Sequence, residues 1–225
     1  MVEAGRLAAA GAPSGTVVLA EEQTAGRGRL GRAWYSEPNS GLYFTLILDA
    51  ARAVPWLTLA VGLALHQTLG SMLGAMLGKP ASVDIRWPND VLLGGRKCAG
   101  ILVTADGVAA LVGVGVNVNH QQFPEELAEL AASVRLATGM VVSREELLVG
   151  LLGAIDEHSR LPPEQIRARF AGASSYFEGL RVEIDDTGMR GVTCGLDTDG
   201  FLLLKLDDGT IERVVAGGVR PIARS

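Results

Sequence analysis

Residues 21–34 read EEQTAGRGRLGRAW, with Arg27, Arg29 and Arg32 alternating with Gly26, Gly28 and Gly31. The spacing Gly26-x-Gly28-x-x-Gly31 satisfies the dinucleotide fingerprint. That motif would make the chain a doubly wound Rossmann fold if a strand preceded it and a helix followed. The β-branched run GTVVLAEEQ upstream supplies a strand, but RAWYSEPNSG downstream has no helical periodicity and ends in turn residues. Arginines at the x positions would also crowd the close approach of a pyrophosphate. The stretch therefore reads as a pliable cationic loop. Glycine gives its backbone freedom to change shape, and arginine offers forked donors to carboxylates and phosphates. Such a loop suits a lid that orders over a small polyanion; a solvated loop whose arginines serve solubility is the alternative.

The rest of the composition narrows the field. A chain of 225 residues holds one ordinary domain plus a small one, and 48% hydrophobic with 20% charged residues is globular composition. A net charge of −5 disfavours general nucleic-acid affinity. The N-terminus lacks the order of charge, apolar stretch and cleavage site of a signal peptide, and no apolar run reaches the length of a membrane span. Cys98 and Cys194 are isolated, and His66, His120 and His158 are scattered, so no metal cluster is expected. A soluble cytoplasmic protein is expected.

Strand and helix signals interleave, which predicts a mixed α/β domain. GLYFTLILD (41–49) reads as a strand buried on both faces, and apolar residues from Pro55 to Leu77 recur at helical spacing. SVDIRW and KCAGILVT read as two strands joined by the Pro88-Asn89-Asp90 turn and the Gly94-Gly95 pair, with AALVGVGVNV a third. Helices are predicted near Pro124–Thr138 and Ser143–Arg160, the second opened by a capping box of Ser143 and Glu146. After Phe177, short strands separated by Asp/Gly turns predict a small β-barrel, with the boundary near residues 175–180. GAMLGKP (74–80) imitates a phosphate-binding P-loop, but it ends a helix where a P-loop must begin one. Neither G-x-S-x-G nor H-E-x-x-H occurs.

Two further stretches carry chemistry. In RWPNDVLLGGRKCAGIL (86–102), a rigid turn presents an amide and a carboxylate, and Lys97 follows at a strand start. Alternation along that strand points Lys97 and Cys98 to opposite faces, leaving Cys98 for the core. Lys97 is then either a solvent-facing edge residue or a functional amine beside the polar turn. In VGVGVNVN (112–119), Gly113 and Gly115 thin a buried strand for close approach of a ligand, and Asn117 stands where the strand ends.

These three segments, in this order, resemble the biotin–protein ligases, and the likeness extends over nearly the whole chain. The resemblance implies an α+β catalytic domain of the biotin/lipoate ligase type (residues 1–177) followed by a small SH3-like β-barrel (178–225). It implies an enzyme that uses ATP and Mg²⁺ to activate biotin as biotinyl-5′-AMP. The biotinyl group then passes to a lysine of a biotin carboxyl carrier protein domain. By position, Lys97 and Arg29 are the expected catalytic residues. Gln23, Arg27, Gly28, Arg29 and Lys97 are expected at biotin, and Arg32, Trp34, Asn89, Asp90 and Asn117 at ATP or the adenylate, with no residue assigned to a metal. Two departures stand out: the family's Ser-Thr-Asn segment upstream of GTVVLAEEQ is missing, and Arg86 stands where lysine is more usual. Lacking a helix-turn-helix, the chain is not expected to bind DNA, nor is a membrane partner expected; monomer and homodimer both remain open. A lipoate–protein ligase-like acyltransferase and a non-catalytic biotin- or adenylate-binding module are the alternatives.

Overall fold

The computed structural model describes residues 1–49, 54–105 and 108–222. Its centre is a six-stranded antiparallel sheet in the order β1-β2-β6-β5-β4-β3. The strands are β1 (Val17–Ala20), β2 (Gly41–Asp49), β3 (Val83–Arg86), β4 (Asp90–Leu93), β5 (Arg96–Ala105) and β6 (Ala109–Asn117). Alternation divides each strand between two faces. Leu42, Phe44 and Leu46 of β2, with Val112, Val114 and Val116 of β6, pack on helix α2 (Val54–Leu77) in one apolar cluster. The opposite face carries Tyr43, Gly113, Gly115 and Gly100, and it is here that the arginine–glycine loop lies. As expected, β2 is buried from Gly41 through Ile47, because both of its faces are covered.

Helix α2 is buried on every side from Trp56 to Leu65, and its later turns expose Gln67 and Ser71. By length and composition it could cross a bilayer, which corrects the expectation that no run is long enough. Leu57, Val61 and Leu65 face the first sheet, while Trp56, Leu59 and Leu63 face a second cluster. That cluster includes Ile166 and Phe170 of α5 (Pro163–Ala173) and the inner residues of a second sheet. The strands of the second sheet are β7 (Glu178–Ile184), β8 (Arg190–Leu196), β9 (Leu202–Leu206), β10 (Ile211–Val214) and β11 (Val219–Pro221), in the order β10-β9-β8-β7-β11. The expected barrel is not closed. The last strand is three residues long and contains Pro221, which has no N–H to extend a ladder. The two sheets meet at a seam where Trp56 Nε1 donates to Thr198 O and Trp87 Nε1 to Gly200 O, each at 3.3 Å.

Other expectations are also revised. The segment between SVDIRW and KCAGILVT contains a strand of its own, β4, so Pro88–Asn89 turns β3 into β4 and Gly94–Gly95 turns β4 into β5. Helices α1 (Val2–Ala9) and α5 were not anticipated. Good helix formers with a Glu3–Arg6 pair mark the first, and proline at the first turn marks the second. The helix expected at Pro124–Thr138 reduces to a single turn at Glu125–Leu127 and a short α3 (Val134–Thr138) capped by Ser133. Ala128–Leu130 form a turn between them, and Ala131 bridges Lys97 of β5, a tertiary pairing that overrides helical propensity. Helix α4 (Arg144–Ser159) begins as predicted, with the Ser143 hydroxyl accepting from the Glu146 N–H at 3.1 Å.

Candidate active site

Lys97 is fixed first by its backbone. Its N–H donates to Leu130 O at 2.8 Å, and its carbonyl accepts from Ala132 N at 2.9 Å and from Asn117 Nδ2 at 3.4 Å. A register shift in the β4–β5 ladder follows, so Cys98 and Ala99 are both buried while Lys97 turns to the other face. The opposite orientations of Lys97 and Cys98 are as the sequence predicts. Burial pushes the Cys98 thiol up to about 12, which removes it from nucleophilic chemistry.

The ammonium of Lys97 sits 2.6 Å from Asp90 Oδ1, and the other carboxylate oxygen holds Arg86 at 2.6 Å. The same nitrogen lies 5.3 Å from the centroid of the Trp34 ring. Beneath that ring Gly100 and Gly115 are cross-strand partners. A Cβ on Gly100 would come within 2.9 Å of Trp34 Cζ3, and one on Gly115 within 2.9 Å of Cε2 and Cζ2. Two glycines thus make a floor on which the indole rests, and its Nε1 is buried with no hydrogen-bond partner among the described residues.

The arginine–glycine loop folds back on itself. Trp34 N bonds Gly26 O at 3.0 Å, Gly28 N bonds Arg32 O at 2.7 Å, and a tight turn at Arg29–Gly31 forms the tip. Arg29 leans inward, its guanidinium donating to Asn89 Oδ1 at 3.3 Å. Burial lowers the Arg29 pKa and the carboxylate of Asp90 partly restores it; an arginine so placed stays charged. Asn89 in turn donates from Nδ2 to Ile101 O at 2.9 Å, tying the β3–β4 turn to β5.

Lys97, Asp90, Asn89, Arg29 and Trp34 therefore converge. Asn117 joins only through the Lys97 carbonyl, as a buried brace. Gln23 lies at the loop's base, its N–H on Ser36 Oγ at 2.9 Å, and its Oε1 would meet a Cβ on Gly26 at 2.9 Å. Arg27 is exposed, and Arg32 reaches away to Asp185 and Asp186 in the turn between β7 and β8 at 3.6 and 3.9 Å. Sequence reasoning passed over Arg86 as the second partner of Asp90, Gly100 as half of the floor, and Leu130–Ala132 as the clamp on Lys97. Gly100 had a signal, three residues after the lysine; the clamp had none.

The arrangement concentrates positive charge beside a half-buried indole. It suits a ligand that joins an anionic group to a flat ring. Among the described residues there is no group of three potential metal ligands, and the site's carboxylate, Asp90, is already held by two cations.

The Biotin/lipoate A/B protein ligase family model matches residues 3–119. The bifunctional ligase/repressor BirA of Bacillus spizizenii is 32% identical over 217 residues, covering 88% of this chain and 64% of its own length. The biotin–[acetyl-CoA-carboxylase] ligase of Mycobacterium tuberculosis is 33% identical, covering 94% of this chain and 80% of that protein. A solved biotin protein ligase from Aquifex aeolicus, in complex with biotin and ATP, superposes with a TM-score of 0.78 at 30% identity, over 96% of this chain and 92% of that one. The fold agrees with these likenesses, and the chain belongs to the Biotin/lipoate A/B protein ligase family, on its biotin protein ligase side.

Proposed function

We propose that this protein is a biotin–[biotin carboxyl-carrier protein] ligase, with residues 1–177 as the catalytic unit and 178–225 as a small C-terminal unit. The observation that carries the reading is the Lys97 ammonium, held at 2.6 Å by Asp90 on the rim of the glycine-floored Trp34 site and faced by the inward-leaning Arg29. Similar proteins bear the name biotin–[acetyl-CoA-carboxylase] ligase, and a solved relative holds biotin and ATP. The carrier is accordingly a biotin carboxyl carrier domain of a carboxylase, met in the cytoplasm where ATP is supplied.

In the first step a biotin carboxylate oxygen bonds the α-phosphorus of ATP, the α–β phosphoanhydride breaks, and pyrophosphate leaves. In the second, a carrier lysine amine attacks the acyl carbon, AMP leaves, and the amine's proton passes to solvent. Both partners of the first step are anions, so neutralisation and positioning are the chemical problem, and no protein nucleophile is needed. Lys97 bridges the reacting carboxylate and phosphate oxygens, Asp90 and Arg86 aim it, and Arg29 with Arg27 closes over the anion. Trp34 offers its outer face to the adenine, and Gln23 and Gly28 shape the biotin end. Magnesium fits as part of the substrate MgATP, since the described residues provide no ligand cluster of their own.

Biotin-dependent exchange of radiolabelled pyrophosphate into ATP tests the reading. Wild type should exchange and Lys97→Ala should lose ~10²–10³ in rate. No exchange by wild type would leave a non-catalytic binding module. Because the matching family model spans biotin and lipoate ligases, lipoate is the competitor to include, and exchange driven by lipoate in preference to biotin would transfer the assignment.

A further inference from the structure

Beyond the site, the loop's return limb enters a small aromatic cage that none of the proposed chemistry uses. His120 is fully buried just after β6. Its ring stacks on Phe123 with centroids 5.1 Å apart and planes 16° apart. Tyr35, next to Trp34 in the chain, packs against both rings at 6.0 and 6.1 Å. Tyr43, one strand over from Gly115, reaches His120 Nε2 with its hydroxyl at 3.4 Å. Ser36, next to Tyr35 in the chain, accepts the Gln23 N–H at its Oγ at 2.9 Å.

Ser36 therefore joins the two ends of the loop, Gln23 before it and Tyr35–Ser36 after it. The remaining imidazole nitrogen, Nδ1, is buried without a partner among the described residues. His120 is thus held more by its flat ring than by a full set of hydrogen bonds, as a stacking element is.

We propose that His120 is a positioning residue for the cationic loop. Stacked on Phe123 and touching Tyr35 and Tyr43, it fixes the limb by which Trp34 is set on the Gly100–Gly115 floor. The loop's exit is pinned, so that Arg27 and Arg29 are carried on a fixed root. This deepens the ligase reading, on which its catalytic consequence rests, but the anchoring is a property of the ligand-free chain.

The test is hydrogen exchange followed by mass spectrometry on the full-length protein without ligand. In His120→Ala, peptides spanning residues 24–36 should exchange about tenfold faster while peptides from β2 and β5 keep wild-type protection. Tyr35→Ala, altered at a partly exposed position, should loosen the same peptides. Tyr35→Phe and His120→Phe keep the rings and should leave the loop as in wild type. In pyrophosphate exchange, the alanine variants should raise KM for biotin far more than they lower kcat, since Lys97 and Asp90 are untouched. Unchanged exchange of residues 24–36 in both alanine variants overturns the proposal, as does loosening in His120→Phe equal to that in His120→Ala. If the loop loosens as stated but wild type shows no biotin-dependent pyrophosphate exchange, the anchor stands and the ligase reading falls.

Discussion

Placing a single methyl group on Gly115 tests how closely the indole depends on its floor. The new Cβ would lie 2.9 Å from Cε2 and Cζ2 of Trp34 and 3.1 Å from Nε1. Ordinary carbon contacts lie at ~3.5–4.0 Å, so the ring must rise by roughly 0.6–1 Å. It cannot slide instead, because Gly100 underlies its other edge and the Trp34 N–H is tied to Gly26 O. Neither floor glycine has a positive φ, so alanine is acceptable to the backbone. If the ring stayed in place, overpacking would cost ~1–3 kcal/mol. If it lifts, the partly buried loop absorbs the movement, and alanine's advantage of ~0.5–1 kcal/mol over glycine in a strand offsets much of the strain. Misplacement of ~1 Å in a positioning group costs on the order of 10²-fold in rate. Gly115→Ala should therefore lose ~10²-fold in biotin-dependent pyrophosphate exchange with a thermal midpoint close to wild type. Activity within ~threefold of wild type would refute the inference that Trp34 must rest on these strands.

Further expectations follow from the same geometry. Asp90→Asn removes the carboxylate shared by Lys97 and Arg86, and the released ammonium should lower kcat by ~10-fold or more, read in single-turnover adenylate formation. Burial holds the imidazoles of His66 and His120 below the ordinary histidine range, with Glu37 opposing this at His120. Unfolded histidine binds its proton near pH ~6.5 while these folded ones resist it. Stability should therefore be flat above that pH and fall as pH drops below it, and His120→Phe should reduce the fall in urea titrations. At Gly153, on the exposed side of α4, an added Cβ meets nothing within 4 Å. Gly153→Ala should therefore raise stability by ~0.5–1 kcal/mol in denaturant melts and leave exchange activity alone.

Much of the site is legible in the sequence because local rules govern it. Glycine and arginine spacing marks the loop, and the residues downstream of it dismiss the dinucleotide alternative. Alternation along one strand separates Lys97 from Cys98, and Asn117 falls at a strand end as predicted. What escapes depends on how the strands and loops pair. Arg86 reaches Asp90 only because a turn folds β3 onto β4, and β4 itself is four residues long, too short for its period to show. Leu130–Ala132 is helical by propensity yet gives its backbone to Lys97, a partner more than thirty residues away. The Gly100–Gly115 floor needs the β5–β6 register, which neither segment specifies alone. The open second sheet depends on how far β11 can pair, and its strand and turn signals do not encode that.

The seam between the two sheets has a consequence for unfolding. Trp56, Trp87, Leu59 and Ile85 from the first 177 residues share one apolar cluster with Val182, Leu196 and Leu202 from the rest. Neither part completes its interior alone, so the two should melt as one cooperative unit, with coincident transitions by every optical probe. Two of the three tryptophans stand at that joint and the third stands on the glycine floor. Intrinsic emission thus divides into a signal for assembly and a signal for the loop, both already in the chain.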